Sequence, residues 1–383
     1  MQKELCEAAL AYIDATQAEL IDLLARLCAI PAPSNHEEQR AAFVKEWLER
    51  AGAQGVYIDE ALNVVYPVGL EESERLVIFM AHTDTVFPDL EPMPLRVEGD
   101  VMYCPGVGDD TANLAVLMLI ARYVAQHALR PRTGVLFVAN AGEEGLGNLK
   151  GSRAIMERYG GQVEAFVSLD TTIDSLSDTA VGSARYRVTA FTKGGHSFSN
   201  FGSPNAIHAL SQIVCALYGQ AIPHTADGGS ITTYNVGLIE GGTSVNTIAQ
   251  EASLLYEYRS TSRRCLAEME SSFYSVLEAF GARGIDVTVE TIGERPCTGD
   301  VDPARQAALA DRCLEAIERA TGKRVPTGAA STDCNIPLSM GIPAVCFGVY
   351  EGGGAHTREE WVRLSSLRAG MRAAMDVVLS YFE

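Results

Sequence analysis

The chain has 383 residues, of which 47% are hydrophobic and 35 are glycine, enough to bury a large core and, by size, two of them. Thirty basic against 49 acidic residues give a formal charge of −19. That field repels nucleic-acid phosphates and anionic lipid headgroups, and no Lys/Arg run offsets it, so neither nucleic acid nor membrane is expected as a partner.

Along the first 25 residues Glu4, Glu7, Asp14, Glu19 and Asp22 interrupt the apolar positions, which is not the unbroken core of a signal peptide. Apolar stretches stay well short of the ~20 residues that span a bilayer. The expected location is cytoplasmic. The nine cysteines are scattered without a CxxC pair and read as reduced core residues.

Leu10, Ile13, Leu20, Leu23, Leu24 and Leu27 recur at helical spacing, Pro31-Ala-Pro33-Ser34 reads as a turn, and residues 37–51 predict a second helix. Residues 76–80, 135–139 and 165–169 then predict strands that are apolar almost throughout. They end in the polar sets Ala81-His82-Thr83-Asp84, Asn140-Ala-Gly-Glu143-Glu144 and Asp170, and a helix over 111–126 joins the first two. Strands of this kind, linked by helices, predict an α/β fold with a mainly parallel central sheet covered by helices on both faces. Ligand sites in such sheets lie beyond the carboxyl ends of the strands. Over 182–292 the pattern changes to alternating strands (186–192, 253–259) and helices (205–218, 265–280), which predicts an inserted smaller α+β domain. The first pattern resumes with a helix over 303–320, a strand over 344–348 and a helix over 365–382. The expected organisation is one domain of residues 1–181 and 293–383, interrupted by a second of residues 182–292.

The strand ends carry the chemistry. In His82-Thr-Asp84 an extended backbone puts both side chains on one face, where Asp84 can hold a ring nitrogen and fix the tautomer. Gly108-Asp109-Asp110 leads into a helix; one Asp suits an N-cap, but two adjacent carboxylates exceed that need, and one can bridge two cations. Glu143 and Glu144 project in different directions and can supply a ligand and a free base. Asp170 is a further strand-end carboxylate, and His356 follows Gly352-Gly-Gly-Ala in the loop after the last strand. Singly, each has a plain alternative: a satisfied histidine, a cap or a solvated acidic turn. Together, three carboxylates and two imidazoles fit a pair of divalent ions such as Zn²⁺.

The ordered set His82-x-Asp84, Gly108-Asp109-Asp110, Glu143-Glu144, Asp170, Gly194-Gly-His196-Ser197 and His356 resembles the M20 family of metallopeptidases from about residue 20 onward. The resemblance implies two zinc ions per chain, with manganese or cobalt as substitutes. It makes His82 and Asp170 ligands of one ion, Glu144 and His356 ligands of the other, Asp109 the bridge, Glu143 the general base and Asp84 the partner of His82. It further implies that 182–292 is a lid or dimerisation domain and the chain a homodimer. In that domain His196, Asn246 and Arg259 would bind the substrate and polarise its carbonyl, His196 in cis or across the dimer. Two departures from the family pattern stand out: Thr111 where many members have lysine, and Pro204 lying well after the His-Ser pair. Asp170, where several deacylases and carboxypeptidases carry Glu, tilts the likeness towards peptidase T and related aminopeptidases.

The expected reaction is hydrolysis of an amide bond in a small peptide, by an aminopeptidase, dipeptidase or tripeptidase. A metal-bridged water would be the nucleophile, Glu143 would move its proton, and the planar fork of Arg259 would grip a terminal carboxylate. The alternatives are an N-acyl-amino-acid deacylase or a carboxypeptidase of the same family, and a non-catalytic metal-containing binding protein. His36, His127, His208 and His224 are expected in structural roles. Residues 331–335 read as an N-cap and turn, with a place in the pocket wall as the alternative.

Overall fold

The computed structural model describes residues 5–281 and 285–383. The chain divides into two compact units, Met1–Ala180 with Gly299–Glu383, and Val181–Thr298.

In the larger unit one sheet runs in the spatial order Tyr57–Ile58, Val64–Val68, Gly134–Asn140, Leu76–His82, Val163–Leu169, Ala344–Phe347, Leu176–Ala180, Thr327–Ala330. Its four central strands, from Gly134–Asn140 to Ala344–Phe347, are parallel, while Val64–Val68 and Leu176–Ala180 flank them antiparallel. Side chains alternate across this sheet. Val77, Phe79, Ala81, Val135, Phe137 and Ala139 enter one core, and Leu76, Ile78, Met80, Leu136 and Val138 enter another. A strand buried on both faces must be apolar at every position, which is why these runs show no polar alternation. Each large apolar side chain so buried contributes roughly 1.5–3 kcal/mol. The helix Asn113–Gln126 is buried without a break from Asn113 to Ala121. It lies between the sheet and the helices Gln17–Cys28 and Leu367–Leu379, so over that stretch no face of it meets water.

The register pairs His82 with Asn140, bringing two polar strand ends level. The N-terminal helical segment is divided at Thr16 into Glu7–Ala15 and Gln17–Cys28. The Thr16 hydroxyl donates back to the Tyr12 carbonyl at 2.8 Å, a bond that competes with the helical ladder. The helix expected from residue 111 begins at Asn113. The residues before it form a wide turn in which Asp109 and Asp110 have non-helical backbone angles.

The smaller unit has an antiparallel sheet in the order Thr232–Gly241, Glu251–Ser260, Gly182–Phe191, Asp286–Arg295. The helices Ala206–Tyr218 and Arg263–Gly281 close one face over Tyr186, Val188, Leu210, Ile213, Leu254, Tyr256 and Phe273. Phe273 stacks on Tyr186 and Tyr256 with centroids 4.5 and 5.4 Å away. All nine cysteines are free. Among the described residues no helix is long and apolar enough to cross a membrane.

Candidate metal centre

His82 closes its strand. Its backbone N–H donates to Asp110 Oδ2 at 2.7 Å, and Asp110 Oδ1 accepts from Asn113 Nδ2 at 2.6 Å. The ring Nδ1 lies 3.0 Å from the Asp84 carbonyl oxygen, and Nε2 lies 3.0 Å from Asp109 Oδ1. A hydrogen held on Nδ1 by that carbonyl leaves Nε2 as the donor atom. Thus the backbone of Asp84, more than its carboxylate at 3.4 Å, orients the ring. The carboxylate accepts instead from Ser34 Oγ at 2.7 Å and from the amides of Glu143 and Glu144 at 3.0 Å each. Extended geometry brings Asp84 to the right place, and its side chain then anchors the adjacent glutamates.

Asp109 divides its oxygens between two imidazoles, with Oδ1 facing His82 and Oδ2 lying 3.0 Å from His356 Nε2. His356 Nε2 is also 3.2 Å from Glu144 Oε1. Asp170 follows Leu169 at a neighbouring strand end and accepts from the Thr171 amide. Gly142, at φ +66°, starts the turn that presents Glu143 and Glu144; a Cβ there would lie 2.5 Å from Lys150 Cγ, so only glycine fits.

Two sets of donor atoms result, His82–Asp109–Asp170 and Asp109–Glu144–His356, with the atoms of each within 4.8 Å of one another. Asp109 belongs to both. Glu143 groups with His82 and Glu144 within the same reach but is in neither set that shares Asp109.

Burial chiefly, then the charges of Asp109 and Glu143, push Glu144 up to about 8 against the opposing pull of His356. Burial and the Asp109 charge raise Asp170 to about 7. Asp109 moves the other way, because its two histidine contacts outweigh burial. Hydrogen bonds to Asp109 and Glu144 hold His356 up at about 10. For His82, burial opposes the charged ring, but the carboxylates of Asp110, Asp109 and Asp84 prevail and hold it well above its ordinary value. For Asp84, burial is outweighed by His82, Ser34 and the Glu143 amide, which keep it below the usual range. Glu144 Oε1 is buried with no aligned hydrogen-bond donor. Crowded carboxyls and a mixed imidazole–carboxylate set, with the buried Glu144 Oε1 met only by the poorly aligned His356 ring, fit a pair of divalent ions.

Two further buried groups stand beside the centre: Arg40, not singled out from the sequence, and Asp333, read there within a cap and turn. Arg40 is fully buried and donates to the carbonyls of Leu27 (3.0 Å), Ile30 (2.6 Å) and Thr83 (2.8 Å), tying the His82–Asp84 segment to the N-terminal helices. Its spacing with Val44 and Leu48 places it on the apolar face of Glu38–Arg50, a signal visible in the sequence. Asp333, read as part of a cap, is buried. Its Oδ2 accepts from Asn140 Nδ2 at 2.6 Å, and burial, then the charges of Glu143 and Asp170, raise it well above the usual range.

The other three candidates lie in the smaller unit. His196 is exposed, and its Nδ1 accepts from the Phe198 amide at 3.2 Å, which leaves the hydrogen on Nε2. Asn246 accepts the Ser197 amide on its backbone carbonyl at 3.0 Å, and its side-chain Oδ1 accepts from Ser244 Oγ at 3.0 Å. On Arg259 the side edge is taken, Nε and Nη2 each lying 3.1 Å from an oxygen of Glu257, which leaves the Nη1–Nη2 end of the guanidinium as the fork that faces outward of this pair. Residues two apart on one strand share a face, so Glu257 meets Arg259 directly.

The sequence profile of the peptidase family M20/M25/M40 matches residues 78–380. The chain belongs to that family. A succinyl-diaminopimelate desuccinylase from Corynebacterium glutamicum is 28% identical, covering 89% of this chain and 90% of its own. A tripeptidase from Staphylococcus aureus superposes with a TM-score of 0.75 at 21% identity, covering 94% of this chain and 97% of its own. A dinuclear metal-binding M20 peptidase from Bacillus subtilis superposes at 0.64 with 16% identity, covering 96% and 99%. At these identities the two structures show a shared fold. This M20 protein is a hydrolase.

Proposed function

We propose that this M20 hydrolase uses a two-metal centre to cleave an amide bond in small peptides, as an aminopeptidase, dipeptidase or tripeptidase of the peptidase T kind. The observation that carries this reading is the pair of donor sets sharing Asp109. In it His82 and Asp170 would hold one ion and Glu144 and His356 the other, with Asp109 common to both sets. Zinc suits the mixture of nitrogen and oxygen donors, with manganese or cobalt as substitutes. When bound, such ions supply Lewis acidity, polarising the amide carbonyl and acidifying water.

Glu143 is buried, stands outside both sets, and is fixed at its amide by Asp84. It takes the proton of the attacking water and returns it to the leaving amine. His196, with its hydrogen on Nε2, donates to the developing oxyanion. Asn246 lines the substrate site with it. Since Glu257 occupies the Nε–Nη2 edge of Arg259, a substrate carboxylate would be met end-on through Nη1 and the second hydrogen of Nη2. The smaller unit serves as lid and as homodimer contact; the exposed Leu238 and Ile239 on its edge strand support the latter role.

The test is release of amine from a panel of di- and tripeptides and N-acyl amino acids, with and without chelator. Chelator-sensitive cleavage of peptides is expected, and Glu143→Gln should lower kcat by ~10²–10⁴-fold with metal content unchanged. Cleavage of the N-acyl amino acids alone would assign the deacylase reading, and a metal-loaded protein inert to the whole panel would refute hydrolysis at this site.

A further inference from the structure

Glu360 follows the loop histidine by four positions, in a charged stretch that includes Arg358 and Glu359, yet it is only 1% exposed. Its neighbour Glu359 behaves as a surface residue and pairs with Arg96 at 3.1 Å. Glu360 turns inward and accepts three backbone hydrogen bonds. Oε2 takes the Gly106 amide at 2.6 Å, and Oε1 takes the amides of Gly108 at 2.9 Å and Asp109 at 2.7 Å. These amides belong to the wide turn before the helix Asn113–Gln126, where no regular ladder would bond them. Successive N–H groups pointing inward form an anion-binding concavity, and here the protein fills it with its own carboxylate.

The clamp is itself held. The Glu360 carbonyl accepts the Cys104 amide at 3.2 Å, and the strand Trp361–Arg363 pairs with Val101–Tyr103. Tyr350 packs so closely on Gly108 that a Cβ there would lie 2.5 Å from its hydroxyl oxygen.

We propose that Glu360 is a positioning residue for Asp109: it fixes the turn over 106–109 so that the two oxygens of Asp109 face His82 and His356, and thereby sets the affinity of both metal positions at once. The proposal rests on the two-metal reading of the centre. Glu360 touches neither substrate nor reacting atoms. A group that orients one terminal ligand tunes one position; Glu360 supports the ligand common to both.

The experiment uses the full chain stripped by chelator and titrated with Zn²⁺ in a calorimeter, alongside backbone amide exchange of the metal-free protein. In Glu360→Gln the carboxamide keeps one acceptor and sets an N–H against the remaining amide donors. Both binding steps should weaken by ~10–100-fold, and the amides at 106, 108 and 109 should lose protection. Glu360→Asp, which keeps the charge on a shorter arm, should recover part of both effects and serves as the test if the glutamine variant does not fold. Glu359→Gln should change neither. Wild-type affinity at either position in Glu360→Gln, with or without a lower melting temperature, would overturn the proposal. A wild-type chain that takes up no divalent ion would refute the two-metal reading, a result distinct from normal uptake by both proteins.

Discussion

Replacing Asp84 by Asn tests how the paired glutamates are held. The side chain is fully buried and accepts from Ser34 Oγ and the amides of Glu143 and Glu144, with the latter two on different carboxylate oxygens. An Asn retains one acceptor. Turned one way, its NH₂ opposes the Glu143 amide; turned the other, it opposes the Glu144 amide, while the Ser34 hydroxyl can rotate to accept. Either orientation strands one buried N–H, at about 1–3 kcal/mol, and makes the remaining bonds neutral, for about 1 kcal/mol more. The variant should therefore lose about 2–4 kcal/mol, read as a lower denaturant midpoint of the chelator-treated protein. Because the stranded amide belongs to Glu143 or Glu144, kcat should fall as well under conditions where the variant remains folded. An unfolding free energy within 0.5 kcal/mol of wild type, together with wild-type turnover, would show that Asp84 does not anchor the glutamates.

Other perturbations reach different parts of the account. Arg40→Met fills similar space but strands the Leu27, Ile30 and Thr83 carbonyls, so denaturation should show a loss of about 3–5 kcal/mol; a loss under about 1 kcal/mol would contradict the buried network. Without metal, Glu144 at about 8 and Asp170 at about 7 bind protons in the folded chain that the unfolded chain has released. His82 and His356, also raised, act in the same direction. Each group's contribution is full below its unfolded pKa and is lost as pH rises through the folded one. The melting temperature of the chelator-treated protein should thus fall between pH 5 and 9, and zinc added near pH 6.5 should release protons; a melting temperature that rises with pH would reverse the assigned shifts. His196→Ala should lower kcat and leave the metal count unchanged, and loss of ions from that variant would remove His196 from the substrate-binding role.

The parts of the fold legible in the sequence are those where burial acts on both sides of a strand. Leu76–His82 and Gly134–Asn140 have no solvent face, so their apolar runs announce a parallel sheet. Thr232–Gly241 and Asp286–Arg295 escaped notice because they form the edges of a half-exposed sheet, and most of their residues are not buried. His82, Glu143, Glu144 and Asp170 were visible because they close or closely follow buried strands, whereas Asp109 and His356 lie in loops and stood out only by residue type and order. What stayed hidden depends on atoms meeting across the fold. Spacing alone does not say that the Asp84 carbonyl, more than its carboxylate, takes the His82 ring, or that Glu257 takes the Nε–Nη2 edge of Arg259. Nor does it reveal that Glu360 closes on amides 251 to 254 positions earlier in the chain. Residues 331–335 do form the expected turn into the short helix Asn335–Ser339, with Thr332 Oγ1 accepting the Cys334 amide; what spacing did not show is the burial of Asp333 against Asn140, a tertiary event.

The most direct measurement is the number of divalent ions held per chain by the purified protein and three variants, by elemental analysis after equilibration with zinc. Two ions are expected for the wild type, one each for His82→Ala and His356→Ala, and neither at full affinity for Asp109→Asn. A wild type holding fewer than two, or an Asp109→Asn chain that keeps both with undiminished affinity, would contradict a centre built around that shared carboxylate.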